Sequence, residues 1–161
     1  MPSGADGARP TSPTWGVPAV FVRVLTAILV VPVSDAIPRA RVLLADDHAL
    51  MRRLLRRAIS AHPALEFVGE AADGAEALEL ARSLAPDVVV LDLAMPELDG
   101  LQVAGKLRTD LPECAILVFS AFEAARVAGA ALAAGADRYL EKAAGFEAAA
   151  QAAAELALTR R

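Results

Sequence analysis

Cysteine is almost missing from this sequence of 161 residues: Cys114 stands alone. A single cysteine cannot close an intrachain disulfide, and its scarcity fits a reducing compartment. Because Cys114 precedes an apolar run, we expect it to be a small core or strand-edge residue. The two histidines, His48 and His62, leave no Cys/His spacing for a zinc centre. Aromatic residues make up 4% of the chain, so a core must be built from alanine, leucine and valine. Lysine is scarce as well: Lys106 and Lys142 are the two lysines among 16 basic residues. Lysine is therefore not the general solubilising residue here, and Lys142 stands out. No long basic run occurs beyond Arg52-Arg53 and Arg56-Arg57. With a net charge of −4 and a pI near 5.2, we expect no direct binding of nucleic acid.

Apolar residues are abundant: 56% of the chain is hydrophobic and the mean hydropathy is +0.44. Four short hydrophobic runs each stop on a polar residue. Residues 41–45 run into Asp46-Asp47, 87–91 into Asp92, 115–119 into Ser120 and 138–141 into Lys142. Short β-branched runs separated by helix-patterned stretches read as parallel strands of an α/β sheet.

Residues 1–40 differ from the rest. Residues 1–16 are rich in Pro, Gly, Ser and Ala and read as disordered. Residues 17–33 are strongly apolar. A membrane anchor is disfavoured by the short run, by Arg23 and by Pro18 and Pro32. A signal peptide is disfavoured by the weakly charged lead-in and the lack of a clean cleavage site. The preferred reading is that translation begins at Val31 or Val33, so that this extension is not native. A membrane contact is expected only if 17–33 is a genuine anchor; otherwise the expected location is the cytoplasm.

From residue 41 the alternation is regular. The expected strands are 41–45, 65–71, 87–92, 115–120 and 137–141. The expected helices are 49–61, 75–84, 101–109, 123–134 and 146–158. On the first helix Leu50, Leu54, Leu55 and Ile59 share one face and the arginines the other. His62-Pro63, Pro86 and Pro112 close turns, Asp73 and Asp99 read as N-caps, and Gly135 ends the fourth helix. This is a (βα)5 doubly wound parallel sheet in one domain, residues 41–161, with expected strand order 2-1-3-4-5. Ligands bind outside the carboxyl ends of such strands, at the point where the order reverses. Asp46, Asp47 and Asp92 therefore meet there.

Three carboxylates in one crevice repel each other unless a cation is present, and oxygen-only donors suit Mg²⁺, with Mn²⁺ as a substitute. Two acids before the first helix could simply cap it, but two there plus Asp92 exceed what capping needs. A carboxylate can attack phosphorus and form an acyl phosphate. The charge then spreads over the equatorial oxygens. The cation would take one of these, the Lys142 ammonium another and the Ser120 hydroxyl a third. Alone, Ser120 is a strand-end turn residue and Lys142 a solvated charge; the strength lies in all four strand ends agreeing in order and type.

The stretches LLADDHALMRRLL, DGAEALELARSLAPDVVVLDLAMPELDG, ILVFSAF and AAGADRYLEK resemble the receiver domain of two-component response regulators, most closely the subgroup joined to helix-turn-helix output domains. The resemblance covers about residues 41–158 and implies a flavodoxin-like fold. It implies that Asp92 is phosphorylated, that Asp47 binds Mg²⁺ directly and Asp46 mainly through water, and that the Ala94 backbone carbonyl completes the protein ligands. It further implies that Lys142 contacts a phosphoryl oxygen, that Ser120 hydrogen-bonds the phosphoryl group, and that Tyr139 turns inward as Ser120 shifts. Tyr139 also reads as a half-buried strand aromatic, His48 as a helix-start residue and His62 as a surface residue.

Three departures stand out. Ala143 follows the lysine where the family usually has proline, so the loop there is expected to take its own path. Ala94 offers no polar group and Phe122 a bulky ring beside the phosphoryl position, which leads us to expect slow self-dephosphorylation. No output domain is expected after the fifth helix, so the signal is expected to leave by protein contact or phosphotransfer. The expected function is a single-domain response regulator, a signalling phosphoacceptor rather than an enzyme. A histidine kinase or phosphotransfer protein would donate the phosphoryl group. A downstream protein or a second copy would read the face formed by the fourth helix, fifth strand and fifth helix. The alternative is a receiver-fold interaction module that works without phosphorylation. A phosphatase of the aspartate-nucleophile type wants a second acid at position 94, which is alanine.

Overall fold

A computed structural model of the chain describes residues 38–160. The apolar stretch 17–33, and the readings offered for it, lie outside the described residues. The elements are β1 (Ala40–Ala45), α1 (Ala49–Ala61), β2 (Leu65–Ala71), α2 (Gly74–Leu84), β3 (Val88–Leu91) and α3 (Gly100–Asp110). They continue with β4 (Ala115–Ser120), α4 (Ala124–Ala133), β5 (Arg138–Glu141), a 3-10 turn (Lys142–Ala144) and α5 (Phe146–Thr159).

The five strands form one parallel sheet in the order β2-β1-β3-β4-β5. Parallel strands carry helices on both faces, so their side chains alternate between two cores. Val42, Leu44, Val88, Val90, Leu117 and Phe119 face α1 and α5. Leu43, Ala45, Val89, Leu91, Ile116 and Val118 face α2 and α3. α5 buries six alanines and Leu156, and such small side chains let a helix lie close on the sheet. Phe146, at its start, meets Phe119 edge to face at 6.0 Å.

The helix ends follow the local chemistry. Asp73 accepts from the Glu76 N–H at 2.8 Å and Asp99 from the Gln102 N–H at 2.9 Å. Each satisfies a donor that the first helical turn leaves unpaired. His62 is extended ahead of Pro63 and ends α1. Gly135, with φ +112°, lies just beyond α4 as expected. One sequence expectation needs correction. Leu50, read as part of the buried face of α1, is 48% exposed, because the first turn of α1 lies at the rim of the sheet rather than over it. Asp46 and Asp47 do not cap α1 through their side chains: the N-cap is His48, and it makes no side-chain capping bond. Among the described residues, no helix is long and apolar enough to cross a membrane.

Candidate functional site

Sheet order alone brings the polar strand ends together. β1 and β3 are neighbours, with Ala45 paired to Leu91. The ladder continues one step further, as the Asp92 N–H donates to the Ala45 carbonyl at 2.8 Å. Asp46 and Asp92 therefore leave adjacent strands side by side. Both are buried, Asp47 is exposed, and carboxylate oxygens of all three lie within 4.8 Å of one another.

Two strands, β3 and β4, separate β5 from β1, and the lysine that follows β5 closes the gap with its length. Lys142 Nζ donates to Asp46 Oδ2 at 2.7 Å and to Asp92 Oδ2 at 2.9 Å. The departure at Ala143 does not displace it. The described residues contain no cis peptide bond, and Lys142 opens the 3-10 turn into α5. The second oxygen of each acid is also held. Asp92 Oδ1 accepts from the Leu93 N–H and Asp46 Oδ1 from the His48 N–H, each at 2.8 Å.

These contacts set the charges. Burial pushes the Asp92 carboxyl above the ordinary carboxylate value, against the hydrogen bond and charge of Lys142, which pull it down. For Lys142 burial alone would lower the ammonium; its hydrogen bonds to Asp46 and Asp92 outweigh this and raise it. With all groups ionised, three carboxylates and one ammonium leave two negative charges uncompensated. The Asp47 carboxylate has no hydrogen bond or ion pair within the described residues. A hard divalent cation fits this donor set in charge and chemistry.

Ser120 ends β4 and is fully buried. Its Oγ lies 3.5 Å from the Phe122 N–H. Tyr139 is half-buried on β5, and its hydroxyl donates to the Phe122 carbonyl at 2.6 Å. Burial holds that hydroxyl above the usual phenol value, so it remains a donor. Phe122 itself is 50% exposed. The segment after β4 is thus tied to β5 through Tyr139, and again where Glu141 Oε1 accepts from the Ala124 N–H at 2.7 Å. Ala94 is exposed, two residues past Asp92 in the loop before α3.

Sequence reasoning missed Arg52, Glu70 and Glu141. Arg52 Nη1 donates to the Asp46 backbone carbonyl at 2.7 Å. Arg52 and Arg56 lie 3.6 and 3.7 Å from the carboxylate of Glu70, on β2. The one available signal was Gly69 inside a strand pattern, which marks a bulge or a close backbone approach.

Comparison with known proteins accounts for this arrangement. The family model described as "Response regulator receiver domain" matches residues 42–154. A protein-glutamate methylesterase/protein-glutamine glutaminase of Myxococcus xanthus (strain DK1622) is 43% identical over 108 residues, 66% of this chain and 31% of that protein. The nitrate/nitrite response regulator protein NarL of Escherichia coli (strain K12) is 43% identical over 103 residues, 64% of this chain and 48% of that protein. The chain thus spans a third to a half of the length of the curated relatives it matches. Among solved structures, a two-component response regulator of the LuxR family from Aurantimonas sp. SI85-9A1 superposes with a TM-score of 0.71 at 35% identity. That match covers 76% of this chain and 88% of the other. Strand order, the polar rim at the strand ends and these matches agree: the chain belongs to the receiver-domain family of two-component response regulators.

Proposed function

We propose that residues 41–161 form a receiver domain in which Asp92 accepts a phosphoryl group in the presence of Mg²⁺. The observation that carries this reading is the Lys142 ammonium, within 3 Å of both Asp46 and Asp92. A lysine held there can neutralise a phosphoryl oxygen without moving far. The donor is a phosphohistidine on a histidine kinase or phosphotransfer protein. An Asp92 carboxylate oxygen forms the new bond to phosphorus as the bond from phosphorus to the imidazole nitrogen breaks. The freed imidazole then takes a proton from solvent.

Asp46, Asp47 and Asp92, with the Ala94 carbonyl, would hold Mg²⁺, which when bound supplies positive charge against the transferring group. Lys142 takes a second phosphoryl oxygen and Ser120 Oγ a third. Drawing Ser120 toward the phosphoryl group pulls on the segment that Tyr139 and Glu141 tie to β5. The state of Asp92 is thereby read out on the α4–β5–α5 face by a downstream protein or a second copy. This is signalling rather than turnover of a substrate: the phosphoryl group on Asp92 is itself the signal, read by contact or passed on by phosphotransfer.

The test is incubation with Mg²⁺ and acetyl phosphate, followed by intact-protein mass measurement. The natural chain should gain one phosphoryl mass and Asp92→Asn none. No gain in the natural chain, under conditions where another receiver reacts, would establish the phosphorylation-independent module instead.

A further inference from the structure

The register of β1 against β2 slips by one residue. Val42 pairs with Phe67, but Leu43 pairs with Gly69, so Val68 is an extra residue in β2. Phe67 packs toward the α1/α5 core and Val68 toward the α2/α3 core. Gly69, the partner of Leu43, faces the same side as Val68, where an added Cβ would come within 2.9 Å of Leu84. A bulge of this kind re-aims every side chain that follows it. In unbroken register Glu70 would pair with Ala45 and point to the α2/α3 side. With the bulge it pairs with Leu44 and points toward α1.

There Glu70 meets Arg52. The arginine side chain is 16% exposed, and its Nε stands 3.6 Å from Glu70 Oε1. Arg52 Nε and Glu70 Oε2 are buried without a hydrogen-bond partner. Buried polar atoms left without hydrogen bonds, even inside an ion pair, need a reason. The other end of the guanidinium provides one, since Nη1 donates to the Asp46 carbonyl at 2.7 Å. That carbonyl belongs to the Asp46–Asp47 peptide, and a peptide unit is planar. Fixing its oxygen fixes the plane and hence the Cα from which Asp47 projects. Asp46 is already held at its N–H by Ala71, at Oδ1 by His48 and at Oδ2 by Lys142. Asp47 has no such contacts of its own, so its carboxylate takes its place from the backbone.

The geometry points to Arg52, seated by the bulge-directed Glu70, as a positioning residue that aims the Asp46–Asp47 pair at a divalent cation. This rests on the reading of the acid pair as a cation site. Glu70 holds the guanidinium from β2, α1 carries it, and the Asp46 carbonyl receives it. Cation affinity thereby depends on a residue that touches neither cation nor phosphoryl group.

The experiment is Mn²⁺ binding to the full chain, read from the loss of the free-ion electron paramagnetic resonance signal, with melting curves to establish that each variant is folded. Arg52→Gln should weaken binding about tenfold, the scale seen when residues that orient metal ligands are removed. Glu70→Gln should weaken it in the same direction but less. The Arg52→Gln/Glu70→Gln double variant should be no worse than Arg52→Gln alone, because the two act as one unit. Arg52→Lys, which keeps a donor for the carbonyl, should recover most of the affinity, and the exposed Arg53→Gln should leave it unchanged. In phosphorylation by acetyl phosphate, Arg52→Gln should raise the half-saturating Mg²⁺ concentration while the rate at saturating Mg²⁺ stays close to that of the natural chain. Unaltered Mn²⁺ affinity in folded Arg52→Gln, or an equal loss in Arg53→Gln, overturns the assignment while leaving the cation site itself intact. If Arg52→Gln does not fold, natural affinity in Glu70→Gln overturns it. Failure of the natural chain to bind Mn²⁺ overturns the reading of the site and this inference with it.

Discussion

At the scale of single residues, each polar strand end interrupts an apolar run where nothing apolar explains it. Asp46, Asp92 and Ser120 are buried polar groups, and a polar residue inside is informative where a hydrophobic one is not. Cys114 is a buried small residue leading into β4. Its burial drives the thiol from its ordinary 9.0 up to about 12. A thiol with no thiolate at neutral pH is a poor nucleophile. Native protein at pH 8 should therefore react with a disulfide reagent orders of magnitude more slowly than urea-unfolded protein; fast native labelling would refute this. The linkage has a definite sign. A raised thiol pKa means that the fold favours the protonated form, so this stabilisation is complete below pH 9.0 and is lost as pH rises toward about 12. Lys142, also raised, adds a loss of the same sign at alkaline pH. Urea midpoints at pH 8 and pH 10.5 should fall in that order.

At the scale of elements, the boundaries were readable because proline, glycine and aspartate punctuate them. What could not be read was the facing of β2 beyond Phe67. The segment LEFVGEA offers no unbroken alternation, and the bulge exists only because β1 and β2 must each satisfy a core on both sides. The position of Glu70 is thus a property of the strand pair, and so is its partner Arg52. The loop between β3 and α3 raises a similar issue. It passes through Glu97 at φ +67° and returns so that Gly100 N–H donates to the Leu93 carbonyl at 3.1 Å. A Cβ on Gly100 would lie 2.2 Å from the Asp92 carbonyl oxygen and 2.7 Å from Leu93 Cα. These are backbone atoms at the proposed phosphoacceptor and cannot swing aside as a side chain would. Gly100→Ala should therefore cost about 1–3 kcal/mol, the range for overpacking a tight site. It should also slow phosphorylation in the fraction that stays folded. Denaturant titration measures the first and intact mass against time the second; natural stability and rate together would show that the contact relaxes freely.

At the scale of the whole domain, the fold places the apolar strands β1, β3 and β4 in the sheet interior and gathers uncompensated negative charge just past the carboxyl ends of β1 and β3. Within that end, Lys142 offsets part of the repulsion and the remainder opposes folding. A divalent cation that binds the folded chain and not the unfolded one should relieve it, and the relief should appear as global stability, because the acids directly follow β1 and β3, two interior strands of the sheet. For one site at tenfold excess over its dissociation constant, the gain is about 1.4 kcal/mol. In a domain of this size that corresponds to a rise of roughly 4–8 °C in Tm. Mg²⁺ should produce that rise in the natural chain and little of it in Asp47→Asn, whose exposed side chain makes no contact that the fold needs. Monovalent salt at matched ionic strength separates site binding from screening, since screening acts on all surface charges and falls off over about 10 Å at 0.1 M. A Tm that climbs equally with Na⁺ and Mg²⁺, or equally in the natural chain and Asp47→Asn, would mean that the acid cluster is a general charge burden rather than a cation site.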